Sequence, residues 1–153
     1  MAVDGATVDE ELFYVACLLH DAGLADTVAG EDFTLRSGRR AAAVVASHRG
    51  SHAARAVQDA ISAHCTPGAT LAADGAEAFY VQAGATLDLG GLRLQHLSAD
   101  LVDAVLAAHS REGVVDDITA RITAEADAVP DGRFAVLKKS GFLPAIRVAP
   151  LPR

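Results

Sequence analysis

With 153 residues the chain is the size of one domain and long enough to bury a core without disulfide or metal staples. It is 51% hydrophobic, rich in alanine and poor in aromatics, and its apolar residues recur at helical spacing, which predicts an all-α fold. A formal charge of -7 argues against nucleic acid or an anionic membrane as partner, since both need clustered Lys and Arg to replace counterions; the expected partner is a small molecule.

The acidic start, MAVDGATVDEE, has neither the basic nor the apolar region of a signal peptide. No apolar run approaches the ~20 residues that a bilayer requires, so the expected location is the cytoplasm. Cys17 and Cys65 lie in apolar or helical contexts with no short pairing motif and read as reduced core residues. The first helix is expected from Thr7 to Asp21, with Thr7 as N-cap and Asp9, Glu10 and Glu11 in its first turn. Residues 25–36 connect it onward, with Phe33 and Leu35 as anchors on the core. A second helix, RRAAAVVASH, starts at Ser37 or Gly38, breaks at Arg49-Gly50-Ser51 and gives way to a third from His52 to His64, forming an antiparallel pair. Ala53, Ala56, Val57, Ala60, Ile61 and His64 follow three-and-four spacing, so His64 continues the buried face.

A fourth helix runs from Asp74 to Leu89, with Ala78, Phe79, Val81, Gln82 and Ala85 inward and Gly90-Gly91 as its stop. The fifth, Ser98 to His109, is capped by Ser98 and carries Leu101, Val102, Val105 and Leu106 on one face. The sixth, Val114 to Val129, is capped from Asp116-Asp117 and turns Ile118, Ile122 and Ala126 inward. These six helices make a single domain over residues 1–129. From 130 to 153 the periodicity is lost, and an irregular tail, extended or poorly packed and with at most a brief strand, is expected.

Chemistry is expected where the apolar helix in EELFYVACLLHDAGL, Glu10 to Leu24, ends on His20 and Asp21. The carbonyl end of a helix is partly negative and disfavours a carboxylate by up to about 1 kcal/mol. Asp21 therefore asks for a cation, best a metal ion. Asp88 repeats the anomaly in the last turn of the fourth helix, and His64 joins them from the buried face of the third. Imidazole plus carboxylate is a ligand set for a divalent transition metal such as Zn, Fe, Mn or Ni and a poor one for Ca. On the residues alone, a simpler reading makes His20 a core histidine bonded to a backbone carbonyl and His64 a helix cap. Arg36, Arg39 and Arg40 either reach an anionic substrate across the cleft or form a solvated helix start. His48 and His52 flank the break and face solvent unless one of them substitutes as a ligand, and His96, His109, Lys138 and Lys139 are surface residues.

Three segments in order, ELFYVACLLHDAGL, AISAHCTPG and AGATLDLGG, resemble the HD-domain superfamily of metal-dependent hydrolases, and within it the cyanamide-hydratase-like branch. The resemblance covers roughly residues 9–108 and implies an HD-type helical bundle. It implies His20, Asp21 and Asp88 as metal ligands, Asp21 also positioning the reacting water or bridging two metals, and His64 as a second-metal ligand or proton donor. The implied chemistry is Lewis-acid activation of water for attack on phosphorus or a nitrile carbon of a small molecule. The family's first histidine lies on an earlier helix, and no histidine precedes His20 here. The expectations are a start upstream of Met1, a site of three protein ligands plus water, or a degenerate domain serving as a non-catalytic ligand-binding or protein-interaction module. Each of the three leaves room for a homo-oligomer.

Overall fold

The structure is a computed structural model and describes residues 2–3 and 6–151. Two dipeptides, β1 (Ala2–Val3) and β2 (Ala6–Thr7), pair antiparallel at the N-terminus, and the remaining regular structure is helical. The first helix, α1 (Glu10–Leu19), begins three residues later than Thr7 because the carboxylate of Asp9 is its cap, accepting the Leu12 N–H at 3.2 Å. Arg49 holds this start in place, pairing with Asp9 and Glu11 at 2.6 Å each, while His48 meets Glu11 at 2.6 Å.

The next element, α2 (Phe33–Ala63), is capped by Asp32 and broken at Gly50, whose φ of 79° and ψ of 179° are open to glycine and strained for other residues. The break makes two arms that fold back on each other, so closely that a Cβ on Gly38 would meet Gln58 Cγ at 3.0 Å. This is the expected antiparallel pair, entered four residues early because the Asp32 cap outcompetes any start at Ser37. Phe33 is fully buried there, whereas Leu35 is 42% exposed and anchors nothing.

Four elements of unequal length complete the first part of the bundle: α3 (Leu71–Asp74), α4 (Ala76–Gly90), α5 (Ala99–Ala108) and α6 (Val114–Ala128). The fourth expected helix is α4, starting two residues late because Gly75 separates it from Asp74, and Ser98 caps α5 as expected, accepting the Leu101 N–H at 3.3 Å. Asp116 and Asp117 lie in the first turn of α6 and do not cap it. Beyond Pro130 the chain is helical where its composition suggested extended chain, forming α7 (Arg133–Lys139) and α8 (Phe142–Arg147). Burial explains this, since Phe134, Ala135 and Ile146 enter the core and packing overrides the weak local signal.

Two apolar clusters hold the bundle. One joins Leu12 and Ala16 of α1, both arms of α2 through Val45 and Ile61, and Val81 of α4. The other joins Leu24, Phe33, Ile122, Ala126, Phe134 and Ile146, from the turn after α1 to α8. Cys65 packs against this second cluster, but Cys17 is exposed, because α1 turns Leu12 and Ala16 inward and leaves Cys17 on its outer side. Among the described residues α5 contributes no buried side chain, and its Leu101 and Val105 are each half exposed. No described helix is long and apolar enough to cross a membrane.

Candidate metal centre

His20 follows the last turn of α1, Asp21 opens the 3-10 turn Ala22–Ala25, and His64 caps the second arm of α2. The turn is held by close approach: a Cβ on Gly23 would lie 2.3 Å from the Phe33 carbonyl oxygen, and its N–H donates to Ser37 Oγ at 2.8 Å. Each histidine donates Nδ1–H to a carbonyl three residues back, His20 to Cys17 at 2.8 Å and His64 to Ile61 at 2.6 Å. A carbonyl oxygen only accepts, so Nδ1 carries hydrogen in both rings and Nε2 is the atom turned to the site. The two Nε2 atoms flank one carboxylate, His20 at 3.5 Å from Asp21 Oδ2 and His64 at 3.5 Å from Asp21 Oδ1.

These distances exceed a good hydrogen bond. Two donors bound to one tetrahedral cation at about 2.0–2.1 Å stand about 3.4 Å apart, so the spacing suits ligands that share an ion. Asp21 Oδ1 is moreover shielded from solvent without a hydrogen-bond partner. Ligand atoms of His20, Asp21 and His64 all lie within 4.8 Å of one another, and the three residues form a group able to hold a metal ion.

Electrostatics agree with the geometry. Burial pushes the Asp21 carboxyl up, but contact with His64 and the charges of His20 and His64 outweigh it and hold the group below its ordinary 3.8. Burial opposes charge on His64, yet Asp21, the Cys65 sulfur and the Ile61 carbonyl together raise it to about 10. A metal ion bound at His64 Nε2 would have to displace the proton that these contacts favour. The rings continue in a ladder: His20 meets His64 edge-on at 5.1 Å, His64 meets Phe33 edge-on at 5.7 Å, and Phe33 stacks on Phe134 at 4.3 Å.

Asp21, Ala85 and Leu89 border two neighbouring cavities. One of about 450 Å³ opens on His20 and Asp21 and is lined also by Cys17, Tyr80, Asp88 and Asp117. The other, about 340 Å³, opens on Asp21 and His64 and reaches Cys65, Gln82, Thr86 and Arg93.

Asp88 borders the first cavity but stays out of the ligating group, because Arg111 holds both its carboxylate and, at 2.9 Å, its main-chain carbonyl. The three expected anion contacts are also committed elsewhere. Arg36 is buried, pairs with Glu125 at 2.6 Å and donates to the Gly23 carbonyl at 3.1 Å. Arg39 pairs with Glu31 and Arg40 with Asp26, on a face that carries none of the ligating group. Two residues on the second cavity went unassigned in sequence. Gln82 had a signal, being a polar residue on the inner face of α4; Arg93, just beyond a double glycine, had none.

Comparison with protein-family models gives no match, and comparison with curated proteins gives none either.

Proposed function

We propose that the chain is an HD-like, metal-dependent hydrolase or hydratase of a small molecule, with His20, Asp21 and His64 as its metal ligands. The observation that carries this reading is the pair of Nε2 atoms set 3.5 Å from the two oxygens of one half-buried carboxylate. Two imidazoles and a carboxylate suit Zn, Fe, Mn or Ni, and three protein ligands leave positions open, as catalytic sites do. A divalent ion there supplies Lewis-acid activation of water for attack on phosphorus or a nitrile carbon. The chain's own part is to fix both imidazole tautomers through Cys17 and Ile61, to present Asp21 between them, and to exclude bulk water with the apolar walls of two cavities. The resemblance of the three segments to the HD superfamily supports the choice of reaction.

The commitment of Asp88 to Arg111 favours a second reading, a degenerate domain that binds a ligand or partner without turning it over. Metal content separates the two. Purified protein is expected to carry stoichiometric divalent metal that a His20→Ala/Asp21→Ala double variant lacks; absence of metal from both sinks the enzyme reading.

A further inference from the structure

The second cavity contains two polar groups that the metal centre leaves unused. Arg93 lines it together with Asp21 and His64, and its Nη1 donates to Thr86 Oγ1 at 3.2 Å while its guanidinium lies 5.7 Å from the centre of the Phe79 ring. Arg36, Arg39, Arg40 and Arg111 are each neutralised by a carboxylate, whereas Arg93 has no carboxylate partner among the described residues. Arg93 is also the non-glycine residue with a positive φ, 69°, among the described residues. That left-handed backbone is strained for a side chain, and such strain concentrates at ligand clamps. Independently, Gln82 is 8% exposed, and its Oε1 is buried with no hydrogen-bond partner. A buried acceptor without a donor is costly until something in the cavity supplies one. Cys65 and Thr66 also line it, and the rest of the wall is mainly apolar, with Leu89, Phe134, Leu137 and Phe142 and the exposed Leu92 at the rim.

We propose that Arg93 and Gln82 are the recognition end of the substrate site, taking a small organic oxyanion with an apolar body and a hydroxyl or amide N–H. The guanidinium pairs with the oxyanion, a carboxylate or a phosphate, through its planar donors. Gln82 Oε1 accepts from the hydroxyl or N–H, and the aromatic and leucine walls cover the body. A cavity of about 340 Å³ sets the size at that of a small metabolite. That the other end of the molecule reaches His64 and Asp21 rests on the metal-centre reading; the recognition end itself does not.

Calorimetric titration of the full chain tests this, once after chelation and once with added Zn²⁺, using mandelate, phenyl phosphate and neutral mandelamide. At least one anion is expected to bind saturably in the chelated protein and about tenfold or more tighter than mandelamide, and the two anions distinguish carboxylate from phosphate. Arg93→Gly removes the guanidinium and relieves the positive φ, so it is expected to melt no lower than wild type while losing about tenfold or more in anion affinity. Gln82→Leu is expected to weaken mandelate more than benzoate, which lacks the hydroxyl. Failure of every anion to bind, equal binding of anion and amide, or full affinity in Arg93→Gly overturns the proposal. Anion binding without metal uptake keeps the recognition end and removes the hydrolase; metal uptake without anion preference does the reverse.

Discussion

Arg36 and Glu125 meet 2.6 Å apart with side chains only 4% and 2% exposed, joining the first turn of α2 to the last turn of α6. Glu125 Oε1 also accepts the Phe33 N–H at 2.8 Å, and Arg36 also reaches the Gly23 carbonyl, two residues from Asp21. Removing one partner strands a buried charge. Glu125→Ala is expected to destabilise the fold by about 3–5 kcal/mol in urea unfolding, whereas an Arg36→Met/Glu125→Leu double variant loses far less. The single variant is also expected to loosen the turn carrying Asp21, so that any metal uptake falls with stability.

Asp32 links the start of α2 to α7. Its carboxylate accepts the Thr34 N–H at 3.0 Å, the Thr34 hydroxyl at 2.7 Å and the Arg133 N–H at 2.8 Å. Burial pushes its pKa up, but these donors and the charge of Arg133 prevail and hold it below the ordinary 3.8. A carboxyl depressed in the folded state stabilises the protein above its unfolded pKa and loses that contribution as pH falls through the folded value. Unfolding free energy measured from about pH 5 down to about pH 2 is therefore expected to drop more steeply in wild type than in Asp32→Ala. At neutral pH the variant is expected to be about 1–2 kcal/mol less stable, through loss of the cap.

Two aspartates singled out by their helix ends are expected to behave differently. Asp21→Asn removes the charge between the two Nε2 atoms and should abolish metal uptake measured by atomic emission. Asp88→Asn, in a side chain that Arg111 already holds, should leave uptake unchanged and cost about 1 kcal/mol, since Asp88 is itself exposed although the Arg111 side chain is only 10% exposed. Equal loss of metal in both variants would place Asp88 among the ligands.

Glycines at two bends fail for different reasons. At Gly50 a methyl group would meet nothing within 4 Å, so the cost of Gly50→Ala is conformational, about 1–3 kcal/mol. At Gly23 the obstacle is the Phe33 carbonyl oxygen, 2.3 Å from the new Cβ, and the turn itself must shift. Thermal unfolding is expected to show both variants destabilised, but only Gly23→Ala should lose metal in proportion beyond its loss of stability.

What could be read from the sequence was what depends on neighbours along the chain. The Ser98 cap of α5, the break at Gly50 and the inward position of His64 all follow from short-range spacing or backbone preference, and each is present. The cap of α1 was misplaced because Asp9 and Thr7 both offer an oxygen, and the choice is made by Arg49, forty residues away. The same holds for the site. His20, Asp21 and His64 were legible because each ends a helix whose buried face can be traced, whereas the pairing of Asp88 with Arg111 spans 23 residues and that of Arg36 with Glu125 spans 89. Helices α7 and α8 were hidden for a related reason, since their stability comes from Phe134 and Ile146 entering a core built by other elements.

The ring ladder from His20 to Phe134 bears on how the protein comes into being. During synthesis its members emerge in the order 20, 33, 64 and 134. A nascent chain that has reached α6 already holds every candidate ligand, yet one face of Phe33 still lacks its stacking partner. Because domains fold as units, the ladder closes only after residue 134 has left the ribosome, so its last stacking contact, on Phe33, is also the last to become available.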